Sequence, residues 1–195
     1  PDPGRRWYEL RPGPPGAILW SIMHQYRHLA PLNTGATPVN DNLLQITPRI
    51  GLDARLLAAL LNSHLVGLLK HACGRQRNEG MLKTQAGDVR RLRVPDPRRF
   101  DASMRSRLVD AFRAIGSRRI CRITDECLLP DRRRLDVAVL EAIGYSPEGA
   151  ARAAERVAAA LISLHGGERL GELDAMAQRR RHAREARHRA VRPRA

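Results

Sequence analysis

The spacing of apolar positions changes along this chain. Between residues 17 and 47 they come in two short runs, AILWSIM (17–23) and LLQIT (43–47). The first follows a Pro/Gly-rich stretch and reads as a buried strand, and the second, after the turn-prone Asn40-Asp41-Asn42, suits a second strand. From residue 53 the period lengthens. Leu56, Leu57, Leu60, Leu61, Leu65, Leu68 and Leu69 recur at helical spacing. Asp53 is a good N-cap for this run and Gly74 a natural stop. The pattern predicts a single helix, with Asn62 and Ser63 inside it bonding to nearby backbone in a structural role. Met81 to Gln85 reads as a short strand. Asp88 to Leu92 reads as one helical turn, ended by Val94-Pro95-Asp96-Pro97.

Beyond residue 100 the pattern is helical. Asp101 or Ser103 caps a helix running to about Ile115. Asp131 caps the next, RRRLDVAVLEAIG, which stops at Gly144. Ser146-Pro147-Glu148 starts another, with proline at the first helical position, reaching about His165 before Gly166-Gly167. ICRITDECLL (120–129) fits no single element type. Residues 1–16 are irregular, with Trp7 and Tyr8 as anchors. The expected fold class is α+β: a small mixed α/β part at 1–100, with short strands around one central helix, then a helical unit at 101–178. Residues 179–195 form an arginine-rich tail, expected to be flexible and solvated. There is no internal repeat.

Lys plus Arg number 35 against 20 Asp plus Glu, a net charge of +15. Such an imbalance points to a polyanionic partner. Lys70 and Lys83 are the only lysines, so the positive charge is nearly all arginine. A GC-rich genome explains that preference but not the excess of base over acid. Cys73, Cys121 and Cys127 have no paired spacing, as expected of free thiols in a cytoplasmic protein. No apolar run approaches the roughly 20 residues of a membrane span. The first residues contain no signal peptide and no initiator Met, which suits a segment of something longer.

The usual catalytic signatures are missing. The one Pro-Pro pair, Pro14-Pro15, is flanked by glycines rather than by the Asn and aromatic residue of an amino-methyltransferase. There is no cofactor-binding glycine loop and no Gly-Lys-Ser/Thr. Lys70 and Lys83 follow Leu68 and Met81 at the spacing where a PD-(D/E)xK nuclease has an acid. His24 and His28 sit at metal-sharing helical spacing but have no nearby carboxylate or cysteine. The Cys121–Cys127 interval fits no zinc module. Ser, His and Asp occur, but no local signature assembles them into a triad. No catalytic, cofactor or metal residue is expected in this chain.

One ordered series carries a resemblance. Asp53 opens a helix containing Leu60-Leu61-Asn62-Ser63, and Gly74 closes it. A polar loop with Gly80, a strand-like piece and Leu92-x-Val94-Pro95 follow. Trp7-Tyr8-Glu9-Leu10, the strand at Ile18–Ile22 and Asn40-Asp41 before Leu43–Thr47 agree upstream. Arg134-Leu135-Asp136, Val139-Leu140 and Ile143-Gly144 agree downstream. The series resembles the C-terminal target-recognition region of N6-adenine DNA methyltransferases of restriction–modification and phage-defence systems, the type IIG and Taq-like enzymes above all. It covers roughly residues 5–165 and is sharpest over 53–97.

The resemblance implies double-stranded DNA as partner. It also implies a catalytic methyltransferase domain, upstream or as a separate subunit, that binds S-adenosylmethionine and flips the adenine. Arg75, Gln76, Arg77, Asn78, Lys83, Gln85, Arg90, Arg91 and Arg93 are then the expected DNA-binding residues. Arginine bonds bidentately to guanine, and Asn or Gln to adenine. Arg90, Arg91 and Arg93 are placed on phosphate, which positions without specifying. The competing reading is a basic helical adaptor for RNA or an acidic protein, which would not need the strand-like 17–47 region.

Overall fold

The computed structural model describes residues 13–77 and 81–166. Trp7, Tyr8, Asn78, Gly80 and the arginine-rich tail lie outside that range. The fold is α+β. Strand β1 (Ile18–Ser21) pairs antiparallel with β3 (Leu43–Ile46), Ile18 opposite Ile46 and Ser21 opposite Leu43. Alternation puts Ile18 and Trp20 inward, and both are fully buried. At Ile22 the chain passes from this sheet into a second one. The Ile22 amide donates to Asn42 O (3.0 Å), and its carbonyl accepts from Thr84 N (2.8 Å). The second sheet has the order β2-β5-β4, with β2 at Met23–His24, β4 at Arg75–Gln76 and β5 at Leu82–Lys83.

The expected single helix is two helices. Helix α1 (Ala54–Leu61) and helix α2 (His64–Cys73) are bent by 68° at Asn62-Ser63. The apolar period continues across the bend, which hides it from pattern reading. The two polar residues cause it. The Asn62 carboxamide accepts from Ala30 N (3.0 Å) and donates to Ala30 O and Ala58 O, both at 2.8 Å. Ser63 takes extended backbone and caps α2, its hydroxyl accepting from Val66 N. Their role is structural, as expected. Asp53 caps α1 through Arg55 N (2.8 Å).

Helix α3 (Ala86–Arg91) and a 3-10 turn (Pro97–Arg99) lead to α4 (Ala102–Gly116), which Asp101 caps through Met104 N (2.7 Å). The ambiguous stretch forms a short helix, α5 (Ile123–Glu126), and α6 spans Pro130–Ala142. Asp131 does not cap α6. Leu129 occupies the cap position and Pro130 the first helical one, where a missing N–H costs nothing. The Asp131 carboxylate instead takes two bonds from Arg118 (2.6 and 2.9 Å), the stronger bidentate use of a carboxylate. Gly144, at φ +101, ends this segment in a conformation that favours glycine. Helix α7 covers residues 147–166 and begins on Pro147, with Ser146 accepting from Gly149 N.

The core crosses the proline-rich junction. Leu56, Ala59 and Leu60 of α1 pack with Leu108 and Ile115 of α4 and with Leu135 and Val139 of α6. A second cluster joins Ile18, Trp20 and Ala30 to Ala58, Leu61 and Val66. Helix α1 thus has the strand layer on one side and the helical unit on the other. No single helix among the described residues is long and apolar enough to cross a membrane.

Candidate nucleic-acid interface

Helix α2 turns into β4 with no intervening loop, and Gly74 makes this possible. A Cβ on Gly74 would lie 2.7 Å from the Leu82 side chain and 2.9 Å from the Lys70 carbonyl. The segment after Gly74, expected to be a loop, therefore begins as a strand. Arg75 pairs directly with Lys83, and Gln76 with Leu82. The Arg77 amide extends the hairpin with a bond to Met81 O (2.7 Å). On the other side of β5, Lys83 is opposite Met23 and Leu82 opposite His24.

Register sorts these residues into two faces. Leu82, Thr84 and His24 point into the protein and are buried. Arg75 and Lys83 share the outer face. Arg75, Gln76, Arg77 and Gln85 are exposed and Lys83 is half-buried. Gln76 does not share the face of Arg75, because it alternates with it along β4.

Helix α3 follows at once. Asp88 is buried at its start and accepts from Gln85 N (2.9 Å) and from Arg91 Nη2 (2.6 Å). Those two bonds, backbone first, hold the Asp88 carboxyl below its ordinary range, with a further pull from the charge of Arg75. Helix α3 is thereby tied beside the hairpin. Arg90, Arg91 and Arg93 are all exposed. Arg91 commits one nitrogen to Asp88 and keeps its other donors in solvent. Val89, Leu92 and Val94 pack on the cluster around Trp20, which fixes the segment carrying these arginines. Of the expected DNA-binding residues, Arg75 and Lys83 are brought together directly and Arg91 adjoins them through Asp88.

Sequence reading missed what lies beneath this sheet. Lys70 is buried on α2, with Nζ 3.1 Å from His28 Nδ1 and 5.5 Å from the Trp20 ring centroid. His24 and His28, considered for a metal, instead surround this lysine from β2 and the segment after it. Trp20 Nε1 donates to Thr84 Oγ1 (2.9 Å), and His24 Nε2 lies 3.1 Å from the same oxygen. His71 and His165 meet at 3.0 Å. Burial lowers Lys70 to about 7 and, with the charges of Lys70 and His71, lowers His24 to about 3. The signal in the sequence was positional: Lys70 falls on the face of α2 defined by Val66 and Gly67.

A third group lies at the seam with the helical unit. Asp136 accepts from the His64 amide and faces its Nδ1, both at 2.7 Å, while Cys127 Sγ is 3.9 Å from Nε2. The order is that of a thiol triad, which the spacing in the sequence concealed. Burial and then the Asp136 charge push the Cys127 thiol up to about 12, so it stands protonated rather than as the nucleophilic thiolate. Next to it, buried Arg132 bonds Glu126 and donates to Asn62 O (2.8 Å), linking α6 to the α1–α2 bend.

No protein-family model, curated protein or solved structure matches the chain.

Proposed function

We propose that this chain is the DNA target-recognition segment of a site-specific adenine-N6 DNA methyltransferase, acting in the cytoplasm in restriction–modification or phage defence. In this reading it has no catalysis of its own. S-adenosylmethionine and the methyl-transfer chemistry belong to a catalytic domain upstream or on a separate subunit. The observation that carries the reading is the pairing of Arg75 with Lys83 on the exposed face of a sheet, with Arg91 adjoining. Like charges directly opposite each other destabilise a free sheet. A phosphate or a base edge placed between them reverses that sign.

Rigidity supports the same reading. The hairpin follows α2 directly, and α3 is held by Asp88 and by its apolar packing. A backbone fixed in this way leaves only the arginine side chains to be ordered on meeting a duplex. Arg75 and Arg77 are assigned to base edges, Arg90 and Arg93 to phosphate, and Arg91 to phosphate with its free donors.

Binding of fluorescent duplexes by the full chain and by Arg75→Ala, Arg77→Ala and Arg93→Ala tests the assignment. A base-reading arginine loses about 1–3 kcal/mol of discrimination when removed. A phosphate contact weakens all duplexes alike and flattens the salt dependence. Tighter binding of RNA or of acidic protein than of duplex DNA would favour the adaptor reading instead.

A further inference from the structure

The buried face of the same sheet holds a separate cluster of basic side chains. His24 from β2, Arg27 and His28 from the segment after it, Lys70 and His71 from α2, and His165 from α7 line one small cavity. No Asp or Glu lines it among the described residues. Buried cations ordinarily have a paired acid. Lys70 has none among the described residues, and its charge bears on all four histidines.

One atom shows what is needed. When Lys70 is protonated its ammonium has donors and no acceptor, so its 3.1 Å contact makes His28 Nδ1 the acceptor. The proton of neutral His28 then sits on Nε2. That Nε2 is fully buried and has no hydrogen-bond partner. It is a donor in the wall of a cavity lined by basic side chains, Lys70 among them. Gly67 keeps this edge of the ring open, since a Cβ there would lie 3.2 Å from His28 Cδ2. The centre of a water-sized sphere has about 10 Å³ to move in. That is room for one water molecule and not for a polyatomic group.

We propose that this cavity is a binding site for a monatomic anion, chloride being the representative, with the His28 Nε2–H as its donor and Lys70 as its counter-charge. Water would satisfy the donor but leave the lysine uncompensated. The site lies on the inner face of the sheet and does not depend on the DNA reading. Binding is coupled to protonation. As pH falls through about 7, Lys70 gains its charge and the cavity's demand for an anion grows. His24, His28, His71 and His165 all have lowered values, so Lys70 is the group that gains charge first.

Bromide replaces chloride and is located directly by anomalous scattering. Crystals of the full chain soaked in sodium bromide are expected to show a bromide peak within hydrogen-bonding distance of His28 Nε2. In solution, sodium chloride is expected to raise the melting temperature above its value in sodium gluconate of equal ionic strength. The increment should grow below neutral pH and vanish in Lys70→Met, which separates it from halide binding at surface arginines. A cavity without halide density in the soaked crystal overturns the proposal, whatever the variant does. So does a chloride increment of equal size in Lys70→Met.

Discussion

Arg75 stands directly opposite Lys83 across the β4–β5 pair, two cations in register on an exposed sheet face. In a free protein this arrangement costs stability, by about 0.2–1 kcal/mol for such a cross-strand pair. Arg75→Ala is therefore expected to leave the melting temperature unchanged or raised while weakening duplex DNA binding. Thermal unfolding and a binding titration on the same preparations check both halves. A loss of stability in Arg75→Ala would make the arginine a structural residue.

Of the two polar residues at the α1–α2 bend, Asn62 makes the long-range bonds. Asn62→Ala leaves Ala30 N and Ala30 O without their partner in the core. Each buried unsatisfied group costs about 1–3 kcal/mol. Urea denaturation should show a loss of at least about 2 kcal/mol, the low end for two such groups. Leu60→Ala, at a fully buried position of α1, is expected to cost about 2–5 kcal/mol.

Arg132 joins Glu126 and the Asn62 carbonyl while fully buried. Without Arg132, Glu126 keeps two bonds from Arg118 (2.8 and 3.1 Å) and one from the Cys121 amide, but the buried Asn62 carbonyl loses this donor, at about 1–3 kcal/mol. Arg132→Ala should therefore be far more damaging than Arg133→Ala, whose partner Glu155 is exposed. Denaturation midpoints of the two variants give the comparison. Similar midpoints would remove Arg132 from the set of structural ties between α6 and the α1–α2 bend.

Lys70 gives stability a distinctive pH dependence. Its folded value, about 7, lies below the ordinary 10.5. Between those values the unfolded chain binds the extra proton, so stability rises as pH rises through that window. Below about 7 both states are protonated and this contribution is flat. In gluconate buffer, Lys70→Met should remove the rise between neutral and alkaline pH. An unchanged pH profile in the variant would place Lys70 in contact with solvent.

Much of the fold was legible because period and caps agree with burial. The strands around Trp20 and Leu44, the Asp101 cap and the Pro147 start all read directly from local pattern. The split at Asn62-Ser63 was not legible, because its cause is a bond to Ala30, far away in sequence. Asp131 misled for a related reason: a good cap residue was taken by Arg118. The arginines of the candidate interface were evident in the sequence. Their register was not, since the pairing of Arg75 with Lys83 depends on how tightly α2 turns at Gly74. The Lys70 cluster combines β2, α2 and α7, so no local window contained it.

The central claim, a DNA-recognition surface built on the β4–β5 hairpin and α3, is tested most directly by duplex DNA binding of the full chain across a salt series. The expected result is a steep linear fall of log affinity with log salt, corresponding to several phosphate contacts, with the slope reduced by about one contact in Arg93→Ala. Binding that is absent at low salt from a demonstrably folded chain, or whose slope is untouched by removing Arg75, Lys83 and Arg93 together, would contradict it.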